Sequence, residues 1–198
     1  MSTVPSSAII HIQDAFRDTG LNLVMDSEQL ENTPIRWLKF IDEFMQPFDI
    51  EECLSKTFTP KYPEIGTMVV QANIPYRAIC AHHLVPVLGK AHIGYIAHTK
   101  VVGLSKLARL IDGISHMRPS LQENVGEQVV NALYGYLLPM GAGCVIAAEH
   151  GCIACRGIAE PGVATVTSSF RGAFLEEDRG HAARAEFFEL IKMHPAFL

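Results

Sequence analysis

Residues 64–98 read EIGTMVVQANIPYRAICAHHLVPVLGKAHIGYIAH, and this stretch decides the fold class. Apolar, β-branched and aromatic residues dominate it, while Pro75, Pro86 and the Gly89-Lys90 pair interrupt it, which is the signature of short strands separated by breaks rather than of a helix. It reads as a strand pair.

Working outward, two long helices are expected next, over 104–117 with Leu104, Leu107, Ile111 and Ile114 on one stripe, and over 120–138 with Leu121, Val125, Val129, Ala132 and Tyr136. Strand character returns in GCVIAAEHGCIACRG (143–157) and ATVTSSFRGAF (164–174), and ARAEFFELIK (183–192) forms a closing helix. Upstream, residues 6–18 carry Ile9, Ile12 and Phe16 at helical spacing. In NTPIRWLKFIDEFMQPF (32–48), Thr33 suits a cap, Pro34 the first helical position, and Pro47 a stop. Helices, a strand pair, two helices, a strand pair and a helix make an α+β chain with an antiparallel sheet covered on one face.

The 198 residues are 48% hydrophobic and 19% charged, with a net charge of -5. That composition belongs to a globular chain and argues against a nucleic-acid partner, as does the lack of a basic tract. No apolar run reaches membrane-spanning length, and the start, MSTVPSSAIIHIQD, has no secretory pattern. A cytoplasmic location is therefore expected. The cysteines, Cys53, Cys80, Cys144, Cys152 and Cys155, are odd in number, so they are read as reduced thiols rather than as a disulfide framework.

Cys80 and His83 stand three apart, close enough in sequence to bind one metal ion, with His82 between them for proton transfer. A third ligand is sought in AAEHGCIACRG (147–157). If this segment is a regular strand, His150, Cys152 and Arg156 share one face and Cys155 points to the other. On that parity Cys152 is the ligand and Cys155 a packing thiol. Two sulfurs and one imidazole suit zinc and leave a position open for water.

Cations occur in pairs at helical spacing, Arg36 with Lys39 and Lys106 with Arg109, and with Arg156 they offer five charges for a polyphosphate. One such pair taken alone reads more simply as a solvated helix face. Ser105 adds a hydroxyl near a helix start. Glu123 has two readings: it completes a capping box with Ser120 in SLQE, or its carboxylate accepts the two donors of a guanine edge.

Together CAHHLVPVLGKAHIGYI, VGLSKLARLI, LQE, EHGCIACRG and TVTSSF resemble GTP cyclohydrolase I, from about residue 32 to 192. The resemblance implies a tunnelling-fold domain over 61–198 behind a helical region over 1–60, in a homodecamer of two stacked pentameric rings with sites at subunit interfaces. It implies hydrolysis of GTP to 7,8-dihydroneopterin triphosphate and formate, at the head of pteridine biosynthesis. Cys80, His83 and Cys152 would bind the zinc that polarises a water for attack on guanine C8. His82 would protonate N7; His150, with Ser105, would assist opening and rearrangement of the ribose. Glu123 and Gln122 would anchor guanine, while Arg36, Lys39, Lys106, Arg109 and Arg156 would hold the triphosphate. The family usually carries a glutamate where this chain has Ala81, a departure bearing on selectivity and turnover. Two other readings stand beside it: a nitrile reductase of the same fold, which needs a thiol nucleophile rather than a zinc triad, and a zinc-stabilised nucleotide-binding ring without catalysis.

Overall fold

The structure is a computed structural model that describes residues 4–59 and 66–193. The chain forms two compact units, Met1–Gln46 and Pro47–Leu198.

In the first unit, α1 (Ser6–Asp18) and α2 (Ser27–Glu43) flank one 3-10 turn. The second helix begins earlier than Thr33-Pro34 suggests. Asp26 and Gln29 form a reciprocal capping box, with the Gln29 amide donating to the Asp26 carboxylate at 2.8 Å and the Asp26 amide donating to Gln29 Oε1 at 3.2 Å. Two donors satisfied at once outweigh the proline signal, and Pro34 sits buried inside the helix.

The second unit contains α3 (Ile50–Leu54), β1 (Thr57–Phe58), β2 (Met68–Ile79), β3 (Pro86–Ile96), β4 (Val101–Val102), α4 (Leu104–His116), α5 (Gln122–Leu137), β5 (Gly141–His150), α6 (Gly151–Ala154), β6 (Ala164–Gly172) and α7 (Gly180–Lys192). β2, β3, β5 and β6 form one antiparallel sheet in the order β2-β3-β5-β6, and β1 pairs with β4. Residues 64 and 65 of the anticipated strand lie outside the described residues.

Neither Pro75 nor Gly89-Lys90 breaks a strand. Pro75 pairs with Lys90 inside β2, an edge strand, where alternate N–H groups face no partner and proline is tolerated. Gly89 lies within β3 because the neighbouring strand comes too close for a side chain: a Cβ there would sit 2.1 Å from the Ala147 carbonyl oxygen. The real irregularity is a bulge between Gln71 and Ile74, where Asn73 has φ 58°.

Alternation along the strands sorts the residues into two faces. One face, with Ala91, Ile93 and Tyr95 of β3 and Ala142, Cys144 and Ile146 of β5, packs on Leu107, Ile111 and Ile114 of α4 and Val125, Val129 and Leu133 of α5. The two long helices cover the expected face. The other face is not bare: Ile96, Val145, Phe174, Phe187 and Ile191 form a second core under α7, with Phe170 and Phe174 stacked at 5.3 Å and Phe187 edge-on to Phe170 at 6.0 Å. No helix among the described residues is long and apolar enough to cross a membrane.

Candidate functional site

Strand register brings the site together. β3 pairs Pro86 with Ile79 on one side and Val87 with His150 on the other, so the ends of β2 and β5 meet beside the start of β3. Beyond Ile79 the chain turns sharply: the Cys80 amide donates to the Val85 carbonyl at 3.0 Å, and the Leu84 amide donates to the Cys80 carbonyl at 2.9 Å. Leu84 closes the turn at φ 52°. This carries His83 Nδ1 back to 3.9 Å from Cys80 Sγ and leaves the His82 ring exposed, 6.1 Å from that of His83.

Cys152 arrives from the other strand pair. Its Sγ, that of Cys80 and a ring nitrogen of His83 all lie within 4.8 Å of one another. Donors on a tetrahedral zinc stand roughly 3.5–4 Å apart, so this set fits with modest adjustment. The thiols support the same conclusion. Burial, then the charge and hydrogen bonding of Cys80, push the Cys152 thiol up, against the opposing pull of Arg156; a divalent cation between two thiolates reverses that repulsion.

The strand-parity argument for Cys152 does not hold, although Cys152 does lie within reach of Cys80 and His83. β5 ends at His150, and Gly151–Ala154 is a helical turn. Cys152 and Cys155 are therefore three apart on helical backbone and near neighbours rather than on opposite faces. Nor is Cys155 a packing thiol: it is exposed, and its thiol donates to the Gly151 carbonyl at 2.7 Å.

The capping box at SLQE is absent too. Leu121 occupies the cap position of α5 without a side-chain bond, because Ser120 is engaged in an isolated bridge to Cys80: its amide donates to the Ile79 carbonyl at 3.0 Å, and the Ala81 amide donates to the Ser120 carbonyl at 3.3 Å. That bridge fastens the start of α5 beside the Cys/His cluster. Glu123 is thereby exposed in the first turn, near enough to His150 and Tyr76 to act on the ionisation of both. Burial pushes the His150 imidazole below its ordinary value, partly offset by the Glu123 charge.

Gln122 takes a different place from the one its guanine-anchoring role implies. It is 3% exposed. Its Nε2 donates to the carbonyls of Ile146 and Thr165, both at 3.0 Å, and to Thr167 Oγ1 at 3.1 Å, while Oε1 lies 2.9 Å from His150 Nε2. Nothing in sequence signals this, since the partners come from two other strands.

The cations are dispersed. Arg156 follows Cys155 and acts on Cys152. Lys106 and Arg109 instead line a cleft of about 690 Å³ with Phe48, Glu52, Cys53 and Asp112; the cluster cysteines and His83 are not among its lining residues. Both cations draw down the Cys53 thiol, which burial otherwise raises. Ser105 is exposed in the first turn of the same helix. Arg36 and Lys39 belong to the first unit, where Arg36 pairs with Glu28 at 2.9 Å.

Comparison with known proteins agrees with this architecture. The profile of the family GTP cyclohydrolase I matches residues 11–192. The GTP cyclohydrolase 1 of Halalkalibacterium halodurans is 44% identical over 168 residues, 83% of this chain and 86% of that one. That of Hydrogenobaculum sp. is 38% identical over 173 residues, 87% and 91% of the two chains, and that of Dictyostelium discoideum 42% identical over 170 residues, 84% and 70%. With the profile running from α1 through α7 and the cysteine, histidine and glutamate side chains gathered at one end of the sheet, the chain belongs to the GTP cyclohydrolase I family.

Proposed function

We propose that the protein hydrolyses GTP to 7,8-dihydroneopterin triphosphate and formate with zinc held by Cys80, His83 and Cys152. The observation that carries the reading is the meeting of those three side chains, from the turn after β2 and the helical turn after β5, beside His150 and Glu123. The ion supplies Lewis acidity toward water and the purine. Two hydrolytic steps at C8 consume two waters and release formate, and closure of the pterin ring returns one.

The chain's own residues supply the rest. Exposed His82 delivers a proton to N7, which makes C8 a better electrophile. The Glu123 carboxylate accepts the ring N–H and exocyclic amine of guanine. Arg156, Lys106, Arg109, Arg36 and Lys39 bind the triphosphate, and Ser105 assists His150 at the ribose. Because Lys106 and Arg109 line a cleft apart from the Cys/His cluster, the site is completed by more than one subunit. Among the described residues the four-stranded sheet ends at β2 and β6, and edge-to-edge pairing of copies closes a ring; two such rings stacked make the decamer. The five free cysteines support a cytoplasmic reading.

Zinc-loaded protein is to be incubated with GTP and followed at the pterin absorbance together with formate release. Formation of both is expected. Absence of both from a metal-loaded oligomer overturns the reading, and GTP bound without turnover would mark a binding module in which Ala81 accompanies lost catalysis.

A further inference from the structure

We propose that Gln122 is a positioning residue that fixes His150 in the tautomer protonated at Nε2, leaving Nδ1 as the one ring nitrogen able to take a proton. The argument starts from the amide. A glutamine side chain has one acceptor oxygen and one donor nitrogen, and the two are told apart only by their partners. Here the partners decide. One terminal atom faces the Ile146 and Thr165 carbonyl oxygens, both at 3.0 Å, and backbone carbonyls can only accept. That atom is nitrogen, and flipping the amide would set oxygen against two oxygens at a site 3% exposed. The other terminal atom is therefore oxygen, 2.9 Å from His150 Nε2. Since that oxygen only accepts, Nε2 carries the hydrogen. In a neutral imidazole the lone pair is then on Nδ1.

The arrangement is stiff because Gln122 is held from three sides. It is the first residue of α5, its amide is tied to β5 through Ile146 and to β6 through Thr165 and Thr167, and its oxygen holds His150 at the end of β5. Such a clamp sets both the ring's orientation and the nitrogen it presents, the service a buried carboxylate performs for the histidine of a catalytic triad. A neutral amide does so while stabilising the imidazolium far less than a carboxylate would, which suits a histidine that must return its proton within the reaction.

The catalytic consequence rests on the hydrolase reading above, but the tautomer does not, so its test needs no turnover. Zinc-loaded protein labelled with nitrogen-15 at histidine should show His150, assigned by its loss in His150→Gln, with a protonated Nε2 and a bare Nδ1. A protonated Nδ1 with bare Nε2 overturns the proposal. In Gln122→Met, which keeps the volume and loses the acceptor, His150 should show a mixture of tautomers. The kcat for GTP should fall roughly 10²-fold, with KM within about threefold and zinc content unchanged. An unchanged kcat contradicts positioning, and a raised KM at unchanged kcat assigns Gln122 to direct substrate binding instead. Should Gln122→Met fail to fold, the spectrum of the unaltered protein decides alone.

Discussion

Cys152 and Cys155 stand three apart on helical backbone, one half-buried within reach of Cys80 and the other exposed with its thiol on the Gly151 carbonyl. Proximity in sequence thus pairs the two, whereas the position of Cys80 and His83 separates them. Cys152→Ala is expected to abolish stoichiometric zinc and pterin formation, and Cys155→Ala to retain both. Metal content by elemental analysis of the two purified variants checks this, and equal loss in both would mean that both thiols are needed to hold the metal.

Lys106 and Arg109 line the cleft beside Cys53, and Cys80, His83 and Cys152 are not among its lining residues. Losing one charge-assisted contact to a phosphate costs about 1.5–3 kcal/mol, so Lys106→Ala and Arg109→Ala should each raise KM for GTP by roughly tenfold or more while zinc content stays constant. Steady-state kinetics with metal analysis on the same samples provides the check; an unaltered KM in both removes these residues from the triphosphate site.

His92, buried in β3 and accepting a hydrogen bond from the Asn73 amide at 3.3 Å, is pushed by burial from 6.5 down to about 4. The unfolded chain therefore binds a proton that the folded chain refuses between those values. Stability is full above about pH 6.5 and falls as the pH drops toward 4, by on the order of 3 kcal/mol across the window. Urea midpoints at pH 7.5 and 5 should show the loss, and His92→Gln should flatten it. An equal pH slope in the variant would assign the effect to other groups.

Gly89 illustrates how tightly the sheet is built. Its Cβ would meet the Ala147 oxygen at 2.1 Å and the Ala148 Cα at 2.5 Å, and backbone atoms of a central strand have little room to move. Gly89→Ala should cost about 1–3 kcal/mol. A lowered urea midpoint is the expected result, and an unchanged one would show that β3 and β5 part there at no cost.

Much of this was legible in the chain. The order of elements, the two long helices over one sheet face and the Cys80-x-x-His83 pair all follow from periodicity and local spacing, because Cys80 and His83 lie in one tight turn. The errors share a cause. Pro75, Gly89 and the SLQE motif mislead when read from their nearest neighbours, because each is governed by structure remote in sequence: the position of β2 at the end of the sheet, the close approach of β5, and the bridge from Ser120 to Cys80.

What the sequence determined by itself was the set of reactive groups and the pattern of faces, since side-chain chemistry and the periods of helix and strand are local properties. Only the tertiary structure decided that Cys152 comes within reach of Cys80 and His83 from a helical turn, that α7 closes the second face, and that Gln122 holds His150. Those outcomes depend on strand register, which aligns residues 60 or more positions apart, such as Val87 and His150, through backbone pairing common to every residue type.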